Sequence, residues 1–371
     1  LSALASLCLL ALALVQRTAP SPGEDEVRTA ERRALAFLLA HQETDGSFGS
    51  ARNASFNDLW SNPETHKAWT VGTTGLAVMA LLGEGERADS ALRRGVAALV
   101  AKSDLKRVSE WDLDDVWGYV YGLQALARVL EDPRFAAADA RAPVERASRT
   151  YLEKLARCRA GGWSYYANAN AAWLPEWSTS FTTAAAVLAL VDAKKAGLAV
   201  PDGLIEPGLR AIEQCRLPSG AFTYNVEAIP RPGRIDGIDN VKGATGRIQV
   251  CNLALLRGGR DVPVDARARG LDQFFENHRF LEIGRRRPIP HEAYYQIAGY
   301  FYFFGHYYAA EVIASLPPER REPYASKLLR IVIDTQEADG SMTDYVMHDY
   351  PRPYGTAYGL LALQLARAAR P

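Results

Sequence analysis

Two kinds of apolar segment alternate along most of the chain. In the first, apolar residues recur every three or four positions opposite a charged face, as in Glu26 to Gln42, Ser90 to Lys102, Val144 to Cys158, Leu204 to Cys215, Asp265 to Glu276 and Pro318 to Gln336. That period marks an amphipathic helix lying on a core. In the second, residues are apolar or small on nearly every side: Val71 to Leu82, Val116 to Leu130, Ser180 to Ala193, Ala244 to Leu256, Ala293 to Ala314 and Gly355 to Ala366. A helix without a polar face must be buried. The alternation therefore predicts an outer set of amphipathic helices around an inner set of apolar ones.

The boundaries repeat as well. A polar step, a glycine and an aromatic or apolar residue follow the outer helices at Asp45-Gly46-Ser47-Phe48-Gly49, Gly161-Gly162-Trp163, Ser219-Gly220-Ala221-Phe222 and Asp339-Gly340-Ser341-Met342. Glycines 46, 162, 220 and 340 are separated by 116, 58 and 120 residues, so the unit is 58 to 60 residues and residues 24–371 hold six. The predicted fold is all-α, an α6/α6 toroid of six helical hairpins in a single domain over 24–371. Closing the ring buries each unit's inner face between two neighbours.

Loop lengths point to one working end. Inner-to-outer connections are short, such as Gly83 to Asp89 and Arg257 to Val264, whereas outer-to-inner ones are long, such as Glu43 to Thr70, Arg159 to Thr179 and Arg216 to Gly243. Long connections tend to carry function. They gather where the inner helices begin, and converging helix N-termini favour an anionic group there.

The sequence has 371 residues, 48% hydrophobic and 23% charged, the balance of a globular protein. Lys plus Arg and Asp plus Glu are both 43, so no global field recruits a nucleic acid. Leu1 to Val15 is an uncharged Leu/Ala run, and 1–23 reads as a secretory signal with Ala11-Leu12-Ala13 as a cleavage site, followed by a polar linker. Export to the periplasm or the extracellular space is expected, with membrane anchoring through this segment as the alternative. Cys8 lacks the small preceding residue that lipidation requires. Cys158 and Cys215 hold matching places in successive units; they either pair in an oxidising compartment or, as favoured here, pack as small apolar residues beside Cys251.

The Gly-aromatic punctuation before each apolar helix resembles the repeat of the prenyltransferase and squalene-hopene cyclase superfamily. The resemblance covers Glu26 to Ala369 and implies a toroid with a central funnel for a long hydrophobic molecule. Zinc prenyltransferases of that superfamily use an Asp-x-Cys pair and a later His. Here Cys251 is matched, but Gln249 and Gly355 replace the other two ligands, and one ligand in three does not hold zinc. Neither a metal nor a cofactor is therefore expected. Squalene-hopene cyclases protonate their substrate from an Asp-x-Asp-Asp motif, which Asp112-Leu113-Asp114-Asp115 matches. The resemblance implies Asp114 as the acid, with Asp112 and Asp115 beside it. The competing reading is helix capping, in which the helix N-terminus would lower the carboxyl pKa.

For the ligand-binding wall, the candidates are Trp117, Trp163, Tyr165 and Tyr358 near inner-helix starts, and Tyr295, Tyr302 and His306 from the aromatic stretch 291–308. These rings either line a cavity or plug the axis. Arg247, alone in an apolar helix, either binds a ligand anion or forms a structural ion pair. Arg285-Arg286-Arg287 either rims the mouth or is solvated loop. There is no nucleotide fingerprint, phosphate loop or GxSxG elbow. The leading expectation is a toroid that binds a small hydrophobic, isoprenoid-like molecule, with acid-initiated cyclase or isomerase chemistry at Asp114. Carbohydrate hydrolase or lyase chemistry on a glycan is an alternative; it needs a second carboxyl, such as Glu176 or Asp349, across a cleft from Asp114 or Asp115. A non-catalytic binding or scaffold role is the third reading.

Overall fold

The repeat punctuation is a latch between neighbouring hairpins. Gly46 and Gly340 adopt φ +85° and +91°, and a Cβ at either would collide with the carbonyl of Arg94 or Arg33 on the adjacent outer helix. Only glycine suits both the conformation and the approach. The preceding glutamines complete the latch. Gln42 Nε2 donates to Gly46 O at 2.9 Å and to Ala91 O at 2.8 Å; Gln336 Nε2 donates to Gly340 O at 3.1 Å and Ala30 O at 3.0 Å. The chain then ties to its own inner helix through a threonine. Phe48, Trp163 and Met342 donate their backbone N–H to the hydroxyls of Thr74, Thr183 and Thr356 at 3.0, 2.9 and 2.9 Å.

The structure is a computed structural model that describes residues 20–53, 62–159, 161–167, 177–227 and 237–371. The expected leader up to residue 19 and the candidate carboxyl Glu176 lie outside the described residues. The outer helices are α1 (Glu24–Ala40), α3 (Asp89–Ala101), α5 (Ala138–Arg157), α7 (Asp202–Gln214), α9 (Val264–Glu276) and α12 (Pro318–Asp334). The inner helices are α2 (Pro63–Leu82), α4 (Asp115–Glu131), α6 (Ser180–Lys195), α8 (Val241–Arg257), α11 (Phe301–Ala314) and α13 (Pro351–Ala368). A short helix, α10 (His278–Gly284), lies in the connection between α9 and α11. The fold is the expected all-α toroid. Each inner helix packs on the next, and α13 closes the ring against α1 and α2, where Gln364 Nε2 donates to Ala80 O at 3.1 Å and Arg367 Nε to Glu31 Oε1 at 2.8 Å.

Two inner helices start elsewhere than the apolar pattern predicts. Helix α2 begins at Pro63, not Val71, because proline suits the first helical position while the polar residues 64–67 hide the first turn. Helix α11 begins at Phe301, not Ala293. His291, Tyr295 and Gln296 adopt φ of 64°, 58° and 54°, a left-handed conformation that interrupts a helix. Cys158, Cys215 and Cys251 are free and buried, so the packing reading stands and no disulfide joins them.

Candidate active site

The three acids ahead of α4 have three different surroundings. Asp112 Oδ2 accepts from the backbone N–H groups of Val108 at 3.0 Å and Ser109 at 2.7 Å, which folds the preceding loop rather than capping the helix. Asp115 Oδ1 accepts from Ala167 N at 3.1 Å, linking α4 to the next loop. Burial pushes its carboxyl up to about 7 against hydrogen bonds from Tyr119 and Ala167. Asp114 stands at the N-cap position with φ 62°, and its side chain accepts no helix N–H. Its Oδ2 instead accepts from Trp69 Nε1 at 2.9 Å. Asp114 therefore makes no cap bond, and burial raises its carboxyl pKa against the Trp69 indole N–H, which lowers it.

Asp114 faces an axial cavity of about 360 Å³ at the loop end of the ring. Its walls are aromatic: Trp69 from α2, Trp117 and Tyr121 from α4, Phe181 from α6, Phe301 and Phe304 from α11, and Tyr354 and Tyr358 from α13. The loops add Leu113, Tyr165, Pro290, Tyr300, Tyr345 and Met347. Asp114 is the only carboxylic acid among these lining residues. Trp117 stacks between Tyr121 and Phe181 at centroid distances of 5.8 and 5.9 Å. Below them, Tyr358 donates to Tyr121. Deeper still, a half-buried network links α4 to α11: Arg128 donates to Tyr307 at 3.0 Å and to Glu311 at 3.2 Å, and Tyr307 donates to Glu311 at 3.0 Å.

Two tyrosines of the wall carry partners behind them. Tyr354 Oη donates to Asp344 Oδ1 at 2.8 Å, while Asp344 Oδ2 accepts from Phe303 N at 3.1 Å. Asp344 is fully buried, which raises its carboxyl to about 7. Tyr300 Oη lies 3.3 Å from His291 Nε2. His291 Nδ1 is 2.7 Å from Gln296 O, which can only accept, so Nε2 is the acceptor for Tyr300.

Of the residues expected from sequence, Asp114, Trp117, Tyr165 and Tyr358 meet at this cavity, and five binding candidates do not. Trp163 is buried between α5 and α7, with Nε1 donating to Leu155 O at 2.8 Å. Arg247 is 1% exposed; it donates to the carbonyls of Gly243, Phe222 and Ile238 at 3.3, 3.3 and 2.6 Å and lies 3.7 Å from Asp239, which is the structural pairing. Tyr295 packs on Phe280 and accepts from Lys242 Nζ at 3.0 Å. Tyr302 and His306 lie away from the cavity, their rings tilted against each other at a centroid distance of 4.3 Å. His306 Nδ1 donates to Tyr302 O at 2.6 Å and its Nε2 accepts from His278 at 2.9 Å. Burial holds both imidazoles below their ordinary value, His278 at about 4. Arg285 and Arg286 pair with Glu282 and Glu337 rather than rimming the mouth as free charges.

Tyr121 and Tyr354 were not singled out from sequence, yet the helical period would have found them. Tyr121 lies four residues after Trp117 and Tyr354 four before Tyr358, each on the same helix face. Asp349 bonds Asn53 Nδ2 at 2.6 Å and is not among the lining residues, so it does not supply a second cavity carboxyl. Cys251 is buried beside Gln249, whose amide donates to Thr245 O at 3.2 Å and Gly270 O at 2.9 Å, while Gly355 packs on Met342.

Residues 11–118, which include the acid motif, match the squalene-hopene cyclase C-terminal domain family. That match spans less than a third of the chain. No curated protein matches it in sequence. Among solved structures, a protein from Actinoplanes is 18% identical over 92% of this chain and 99% of its own, with a TM-score of 0.54. An inactive variant of the α-1,6-mannanase GH76A of Salegentibacter sp. HEL1_6, in complex with α-1,6-mannotetrose, is 11% identical, covers 93% of this chain and 99% of its own and has a TM-score of 0.59. Cellobiose 2-epimerase from Spirochaeta thermophila is 13% identical over 94% and 99%, with a TM-score of 0.57. The toroid therefore shares its fold with solved structures of carbohydrate-active enzymes.

Proposed function

We propose that the axial cavity binds a small, unsaturated, isoprenoid-like molecule and that Asp114 protonates it. The observation that carries this reading is one carboxyl with a raised pKa in a wall of aromatic rings. A carboxylic acid kept neutral by burial holds its proton until an alkene meets it. The Asp114 proton goes to an alkene carbon, whose π pair forms the new C–H bond and leaves a carbocation on the neighbouring carbon. The faces of Trp69, Trp117 and Phe304 stabilise that charge. Return of an adjacent C–H proton to the Asp114 carboxylate leaves a new double bond, so isomerisation or cyclisation balances without a co-reactant. The Trp69 indole N–H holds Asp114 Oδ2, which aims the other oxygen at the ligand.

The test is incubation with detergent-dispersed squalene in deuterated water, read by mass spectrometry of the hydrocarbon. The wild-type chain is expected to yield deuterated, rearranged product, and Asp114→Asn to lose it by at least about a hundredfold. Equal product from both proteins would remove Asp114 from the chemistry.

Glycan chemistry is the second reading, supported by the fold shared with a mannotetrose-bound mannanase and by rings suited to sugar faces. Among the described residues Asp114 is the one carboxyl lining the cavity, whereas glycoside hydrolysis uses two, roughly 5 to 9.5 Å apart. Release of sugar from mannotetraose, lost in Asp114→Asn, would favour this reading over the first.

A further inference from the structure

The cavity wall carries many hydroxyls, and its tyrosines spend theirs on the protein. Tyr358 donates to Tyr121 at the floor, Tyr354 to Asp344, Tyr300 to His291 and Tyr345 to the carbonyl of Pro288, while Tyr165 is bonded to Tyr224. Thr73 differs. It lines the same cavity from α2, is 4% exposed, and its hydroxyl has no hydrogen-bond partner among the described residues. The third unit shows what a threonine does at this place when it serves the fold. Thr74 and Thr183 both accept the backbone N–H of the glycine latch, but Thr182, the counterpart of Thr73, is bonded to Thr179 at 2.8 Å. Other buried helical hydroxyls turn back on their own helix, as Ser148 does to Val144 O at 2.8 Å and Thr356 to Arg352 O at 2.6 Å. Thr73 does neither, and a buried hydroxyl left unmatched destabilises the fold that holds it.

We propose that the Thr73 hydroxyl is kept for the ligand, and that the cavity takes an isoprenoid alcohol whose oxygen bonds Thr73 while its double bond meets Asp114. The inference rests on the isoprenoid reading of the cavity and narrows it. Thr73 follows Trp69, the partner of Asp114, by four residues, so it stands one turn or about 6 Å deeper on the same face of α2. A ligand hydroxyl matches it because each oxygen can donate to the other or accept from it. A phosphate or carboxylate does not, since no Lys, Arg or His is among the described lining residues and the anion would be buried near Asp114 without a cation. At about 30 Å³ for each water-sized group, the 360 Å³ of the cavity encloses about a dozen heavy atoms. That is the size of a monoterpene alcohol, and a longer chain extends through the mouth.

The experiment titrates the full chain with citronellol, and with the hydrocarbon that lacks its hydroxyl, following tryptophan fluorescence because Trp69 and Trp117 line the cavity. Thr73→Val replaces the hydroxyl by a methyl of similar shape. It is expected to weaken citronellol about tenfold and to leave the hydrocarbon bound as tightly as by wild type or more so, whereas Thr73→Ser holds citronellol within about threefold. No protein group uses this hydroxyl, so the melting temperature of Thr73→Val should equal or exceed that of wild type. A clear drop would make the hydroxyl part of the fold and overturn the proposal. So would equal weakening of both ligands, no weakening of either, or binding of mannotetraose that depends on Thr73 when binding of citronellol does not. Asp114→Asn should bind citronellol as wild type does, so loss of the chemistry at Asp114 and loss of the alcohol at Thr73 are read separately.

Discussion

Asp114 and Arg247 both belong to inner-helix segments that bury charge, and they mark opposite uses of it. The Arg247 guanidinium is closed in by three backbone carbonyls and Asp239, and burial lowers its pKa. The Asp114 carboxyl has a single partner, Trp69, and otherwise faces space. A buried charge shut in by its partners is part of the scaffold, even though the Arg247 Nε–H finds no acceptor. One that faces open space is available to a ligand. Residue type and helix position do not separate the two cases; the number of partners and the volume in front of the group do.

The largest expected effect breaks the Arg247 side. Arg247→Met removes the donor and leaves three carbonyls and Asp239 without it, which should cost about 3 to 5 kcal/mol. The check is the denaturant midpoint, with ligand binding per folded molecule unchanged. A loss below about 1 kcal/mol would mean that the carbonyls find water and that the pairing adds little.

The comparison sharpens at Asp344, a carboxyl sealed behind Tyr354 on the same cavity. Its folded pKa is about 7, whereas in the unfolded chain it lies near 4. The folded protein therefore holds a proton that the unfolded chain has lost. Stability from this group is present below about pH 4 and declines as pH rises toward about 7. Asp344→Asn removes that slope. Its unfolding free energy, measured across the same window, should fall less than that of wild type by an amount on the order of a few kcal/mol. Asp115 keeps its own slope of the same sign in both proteins, so the difference reports Asp344 alone. Parallel profiles would place Asp344 ionised in the fold.

The apolar periodicity revealed the ring because burial is what the pattern records. Asp114 and Trp117 were legible because they stand at an inner-helix start, and Tyr165 and Tyr358 because they are aromatic residues in a loop and an inner helix at the same end. Tyr302 and His306 were not. Helix α11 is apolar and aromatic on all sides, so nothing in residues 301–308 distinguishes the face of Phe301 and Phe304 from the face that meets His278. Arg247 stayed open between a ligand anion and a structural pair because most of its partners are backbone carbonyls, which every sequence has and no pattern marks.

The smallest expected effect belongs to Asp114 itself and separates its backbone role from its side-chain role. Its φ of 62° is the left-handed region, which asparagine visits readily and alanine does not. Asp114→Asn keeps an oxygen for the Trp69 N–H and keeps the conformation, so stability should change by less than about 0.5 kcal/mol near neutral pH. Asp114→Ala should cost about 1 to 2 kcal/mol from backbone strain, with the Trp69 donor also left unpaired. Asp114→Gly isolates the second part, because glycine removes the strain but not the lost bond. If the asparagine and alanine variants were equally destabilised, the carboxyl itself would be holding the fold and Asp114 would join Arg247 as scaffold. If asparagine is neutral while alanine is not, the acid group itself has no structural use, and it is retained for what enters the cavity.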